Sequence, residues 1–200
     1  MSLFKHFLFF VAACLGPVIT VLCLWLDLNF FRDTVSELSV TEIVQEAVLA
    51  AVAVMHFLFA RRYTAFRQCN ILIGGLFLAM LIRELDAVFD MIAHGSWVWF
   101  ALATSAITLV CPLVKWKTTA AQLQDYTRTP GYGMMIAGLI TILVFSRLLG
   151  MGELWGFILQ DGYVRAAKNA VEEGCEMYGY LLCLTATVGY AFSLRRQNAA

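Results

Sequence analysis

Phe7-Leu8-Phe9-Phe10-Val11-Ala12-Ala13-Cys14-Leu15-Gly16-Pro17-Val18-Ile19-Thr20-Val21-Leu22-Cys23-Leu24-Trp25-Leu26 runs for twenty residues without a charge. At about 1.5 Å per helical residue the stretch covers about 30 Å, the thickness of a bilayer's hydrocarbon core. Val11-Ala12-Ala13-Cys14 is similar to a lipoprotein cleavage box, but the apolar run continues far past Cys14. A cleavable h-region is shorter, so a retained spanning helix is expected, with Pro17 kinking it. Five more runs follow: Ile43–Ala60, Ile71–Ile92, Trp97–Val114, Met134–Met151 and Asn169–Leu194. Composition agrees. Of 200 residues 61% are hydrophobic and 14% charged, with a mean hydropathy of +0.77, where a soluble domain carries roughly a quarter charged. Too little polar surface is present to cover a core in water, which excludes a soluble enzyme, a nucleic-acid binder and a disordered tail. The lipid bilayer is the first partner.

The fold class expected is all-α: a polytopic membrane protein, a six-transmembrane-helix bundle forming a single transmembrane domain over 1–200. Its helices are placed at about 5–27, 42–61, 70–94, 97–115, 131–151 and 169–194, with an outer interfacial segment over about 152–168. Orientation follows the basic residues. Lys5, Arg61, Arg62, Arg67, Lys115, Lys117, Arg128, Arg195 and Arg196 fall on one side, and only Arg32, Arg165 and Lys168 in the opposite loops. By the positive-inside rule both termini face the cytoplasm (N-in/C-in). The loop from Lys115 to Pro130 is too short and polar to form a domain.

With that topology, thirteen of the fourteen acids lie in outer loops or outer helix halves, Asp125 being the exception. Acids contribute little to orientation, so their placement needs its own cause. In the third helix Arg83, Asp86, Asp90 and His94 are spaced three, four and four apart and are expected on one stripe. With His94 at the outer interface, Asp90 is about 6 Å deep, Asp86 about 12 Å and Arg83 about 16 Å. An unpaired charge there costs from about 2.5 kcal/mol upward. The sixth helix adds Glu172, Glu173 and Glu176, the second Gln45 and Glu46, and the fifth Arg147. The expected cluster sets seven acids (Glu46, Glu84, Asp86, Asp90, Glu172, Glu173 and Glu176) and His94 against Arg83 and Arg147. Arg83, Glu84 and Arg147 are the expected ion-pairing residues. Glu46, Asp86, Asp90, His94, Glu173 and Glu176 are the candidate metal ligands, since carboxylates with an imidazole suit Mn, Fe or Zn.

Local chemistry explains other polar residues. Ser39-Val40-Thr41-Glu42 fits a capping box, so Glu42 is read as a helix start. His56 is expected to reach the inner interface. Six scattered cysteines read as small buried hydrophobes without a disulfide. Three histidines are too few for a two-haem b-type cytochrome. Glu172-Glu173 is similar to the first motif of CAAX-type intramembrane glutamic proteases, but that motif continues to an arginine where this chain has Met177.

Glu37-Leu38-Ser39-Val40-Thr41-Glu42 with Gln45, Arg83-Glu84-Leu85-Asp86, and Lys168 to Glu176 with Gly179-Tyr180 together resemble uncharacterised small bacterial inner-membrane proteins with six helices. The resemblance implies a bacterial inner-membrane location and no activity. The residues leave three readings open: an outward-facing acidic site that binds or conducts a proton or divalent cation, an accessory or interaction protein with structural ion pairs, and a metal-dependent membrane enzyme. A second copy or another membrane protein is the candidate partner, and a divalent metal the candidate cofactor.

Overall fold

The computed structural model describes residues 3–30, 39–162 and 165–197. Arg32, Glu37, Leu38 and the side chain of Lys5 lie outside the described residues. Among the described residues the fold is all-helical: α1 Leu3–Phe30, α2 Val40–Arg62, α3 Arg67–Glu84 preceded by a 3-10 turn at Thr64–Phe66, α4 Asp86–Asp90, α5 Trp97–Val114 and α6 Trp116–Thr127. Then come α7 Tyr132–Ile140, a π-helical turn at Thr141–Phe145, α8 Ser146–Leu149, α9 Gly152–Leu159 with a 3-10 turn at Gln160–Gly162, and α10 Arg165–Gln197. Among the described residues six segments are long and apolar enough to cross a membrane: His6–Asn29, Val40–Arg62, Thr64–Glu84, Trp97–Val114, Tyr132–Leu149 and Arg165–Arg196.

Two features depart from the expectation drawn from the sequence. The third span was expected over 70–94, but α3 ends at Glu84, where Leu85 leaves helical geometry (ψ 23°). The 21 residues Thr64–Glu84 already cover about 31 Å, so the span ends where its charges begin. Arg83 thus sits at the end of the span instead of near its middle. The loop expected at Lys115–Pro130 contains α6, whose Thr119, Gln122 and Tyr126 are buried. Its polar residues face protein, so hydropathy alone does not reveal the helix.

The chain gathers into two compact units. The first comprises Met1–Gln45 and Met134–Thr185. Here helices approach closely at glycines. A Cβ on Gly138 would lie 2.7 Å from the Gly179 carbonyl, and one on Gly179 would lie 2.9 Å from the Gly138 carbonyl, so only glycine at both allows α7 and α10 to touch backbone to backbone. A Cβ on Gly16 of α1 would meet the Tyr178 ring at 3.3 Å. Met135, Ile142, Met177, Tyr180 and Cys183 fill the interior.

The second unit comprises Glu46–Gly133 and Ala186–Ala200. Its interior holds Leu49, Val52, Phe77, Tyr126, Tyr190 and Leu194. Gln122 of α6 accepts the backbone N–H of Cys69 at 3.1 Å, satisfying one of the free donors at the start of α3. In both units large apolar side chains point outward, including Phe10, Val18 and Leu22 of α1 and Trp99, Ile107 and Val110 of α5. In water that area is an association surface, while in a bilayer it is the lipid-facing side. All six cysteines are free thiols; Cys23, Cys69 and Cys183 are buried as expected, whereas Cys14 and Cys111 are exposed on the apolar outer faces of their helices.

Candidate functional site

The first unit concentrates charge. At the end of α1, Asp27 accepts the backbone N–H groups of Val40 (2.6 Å) and Thr41 (3.0 Å) and the Thr41 hydroxyl (2.5 Å). An acid on the first N–H groups of α2 complements the positive end of that helix. Beside it the capping box forms as its residues imply: Glu42 N–H donates to Ser39 Oγ at 3.0 Å and Ser39 N–H to Glu42 Oε2 at 3.2 Å. Asp27 and Glu42 are thereby committed to backbone donors. One turn on, buried Gln45 donates from Nε2 to the Glu173 carbonyl at 3.1 Å.

Across α8 and α10 runs a second chain of charges. Lys168 Nζ donates to Glu172 Oε2 at 3.0 Å, Arg147 Nη1 to Glu172 Oε1 at 3.2 Å, and Arg147 Nη2 to Glu176 Oε1. The π-helical turn sets this geometry. The Ser146 N–H bonds back to the Thr141 carbonyl, and the inserted residue rotates the next helical turn by about 100°. Ser146 is buried, its hydroxyl 2.6 Å from the Ile142 carbonyl and 3.3 Å from Glu176 Oε1. Gly150 leaves room for the Glu172 carboxyl group, which a Cβ would meet at 2.5 Å.

Glu173 stands apart. It is half-buried, and Asp27, Glu42, Glu172 and Glu176 all act on it as like charges. The two cations of the cluster are engaged with Glu172 and Glu176, and among the described residues no cation pairs with Glu173. Five acids against Arg147 and Lys168 leave a surplus of three negative charges at full ionisation.

Other candidates lie elsewhere. Arg83 pairs with Glu84 at 2.7 Å, as an ion-pairing role requires. Glu46 is half-buried and has a partner. Arg83, Asp86, Asp90 and His94 do not share one helical stripe, because α3 stops at Glu84 and His94 lies in the turn after α4. In that exposed turn Asp90 Oδ1 accepts the Gly95 N–H at 2.7 Å and Oδ2 meets His94 Nδ1 at 2.8 Å. Gly95 has φ +73°, a conformation glycine adopts without a Cβ penalty. The Gly95 N–H, and then His94, hold the Asp90 carboxyl below its ordinary pKa. Among the described residues no three His, Cys, Asp or Glu side chains are grouped to hold a metal ion.

The second unit answers its buried polarity differently. His56, expected at the inner interface, is fully buried. Its Nδ1 lies 2.8 Å from Asn70 Oδ1 and its Nε2 3.3 Å from Thr187 Oγ1. Asn70 Nδ2 donates to the Phe66 carbonyl (2.9 Å) and to Tyr190 Oη (3.3 Å). Because an amide oxygen only accepts, His56 carries its proton on Nδ1, and its Nε2 accepts from Thr187. The Tyr190 ring stacks on the imidazole at 5.9 Å. This is a neutral, matched knot.

Comparison of the chain with family models, with curated proteins and with solved structures finds no match.

Proposed function

We propose that this is a multi-pass protein of a bacterial inner membrane, with both termini in the cytoplasm, whose acidic cluster in the first unit takes up a cation, a proton or a divalent metal ion. The distribution of Lys and Arg supports the orientation, and the resemblance to small six-helix inner-membrane proteins supports the location. The observation that carries the cation reading is Glu173: a half-buried carboxylate facing four like charges, without a cationic partner among the described residues. Such a group finds its charge compensation in a bound cation.

A second reading, an accessory membrane protein with structural ion pairs, is favoured by the chain Lys168–Glu172–Arg147–Glu176. No observation favours a metal-dependent enzyme over these two. Glu173→Gln separates them. It keeps the side chain's volume and removes one repelling charge, so under the cation reading the variant melts at or above the wild-type temperature and loses cation-induced stabilisation. Metal analysis of protein purified without chelators then distinguishes a bound metal from a proton. A wild-type protein whose melting temperature responds neither to divalent cations nor to pH between about 5 and 8 leaves the accessory reading.

A further inference from the structure

In the second unit an open cavity of about 620 Å³ is lined by Arg128 and Arg196, by the hydroxyl-bearing Thr129 and Ser193, by Phe66 and Pro130, and by Asp125. Three membrane-crossing segments end beside it. Thr64–Glu84 begins two residues before Phe66, Tyr132–Leu149 begins two residues after Pro130, and Arg165–Arg196 finishes at Arg196. A cavity where spans end lies at the level of the lipid headgroups.

The groups in the cavity are weakly committed to one another. Arg128 and Asp125 are 3.6 Å apart and both largely exposed, a loose pair. Among the described residues Arg196 makes no ion pair. The Ser193 hydroxyl reaches the Gly189 carbonyl only at 3.4 Å, so it is easily turned toward a ligand. Thr129 is already engaged with the Tyr126 carbonyl at 2.7 Å and acts as wall. Two guanidinium groups against one carboxylate leave a single net positive charge, which matches one phosphodiester. Arginine forks suit phosphate oxygens. Phe66 and Pro130 add an apolar wall that a free inorganic ion does not use.

We propose that this cavity is a headgroup site for an anionic phospholipid, with its phosphate held by Arg128, Arg196 and Ser193. Basic pockets between helices at a membrane surface recognise such headgroups by this chemistry. The site is independent of the acidic cluster in the first unit.

The test is a thermal-stability titration of the detergent-solubilised full chain with short-chain phosphatidylglycerol, short-chain phosphatidylcholine or inorganic phosphate. Phosphatidylglycerol is expected to stabilise the wild type at concentrations where the other two do not. Arg128→Gln and Arg196→Gln each weaken that response about fivefold, and the double variant about thirtyfold. Asp125→Asn tightens it, a gain that no folding defect produces. Equal responses to the two lipids, or an equal response to inorganic phosphate, overturn the proposal. So does a double variant that loses stability yet keeps the wild-type lipid response, which would assign the arginines only to the negative C-terminal ends of α6 and α10.

Discussion

The acidic cluster of the first unit and the His56 knot of the second unit handle buried polarity in opposite ways. In the knot each Asn70 amide hydrogen and each His56 ring nitrogen meets a partner, and no formal charge is needed. In the cluster, acids outnumber cations and one half-buried carboxylate is left facing its own kind. A matched neutral network rigidifies the helices it joins, whereas a surplus of like charge stabilises nothing by itself. The contrast separates a polar group kept for packing from one kept for an exchangeable cation.

The contrast is sharpest where one group is removed. Asn70→Ala strands the His56 Nδ1–H in a dry interior and takes a donor from Tyr190 Oη, and is expected to cost about 3 kcal/mol, read as a lowered melting temperature. A loss under about 1 kcal/mol would break the structural account of the knot. Arg147→Ala comes next. It leaves Glu176, whose side chain is 6% exposed, without its guanidinium, but Arg147 is itself 43% exposed. Solvent screening therefore brings the usual penalty for breaking a buried pair down to about 2 kcal/mol. Adding Glu176→Gln to that variant should restore much of the loss. Ser39→Ala, which removes the capping hydroxyl of α2, is expected to cost about 1 kcal/mol in the same melting experiment.

The smallest effect is at Asp90, exposed and outside both regions. Its folded pKa is depressed, so the turn it holds is intact above the ordinary carboxylate range of about 4 and loosens as pH falls through the lower folded value. Hydrogen exchange at the Gly95 amide reads this directly. Protection should fall on acidification in the wild type, while Asp90→Asn should show less protection at neutral pH and little pH response.

The range of each interaction decides how much of it is legible in the sequence. The six spans and the Ser39–Glu42 capping box rest on local patterns, apolar length and a three-residue spacing, and both appear in the fold. Asp27 carries no local signal, because its partners, Val40 and Thr41, lie 13 and 14 residues away. The helical stripe from Arg83 to His94 failed at Leu85, since perfect spacing cannot signal that a helix stops once its span is complete. The charge of Arg61, a turn or so along α2, points His56 toward an interface. Its real partners, Asn70 and Thr187, are 14 and 131 residues distant. The local surplus of acids was readable from where charges fall along a chain of zero net charge, whereas the isolation of Glu173 needed the pairing of every other charge around it.

Infrared difference spectroscopy tests the central claim most directly. Carboxyl and carboxylate bands are recorded for the wild type and Glu173→Gln as a divalent cation is added, and again as pH is lowered from about 8 to 5. The account predicts a cation- or proton-induced carboxylate change in the wild type that is missing from the variant, with both proteins equally folded. Identical difference spectra from the two would contradict it.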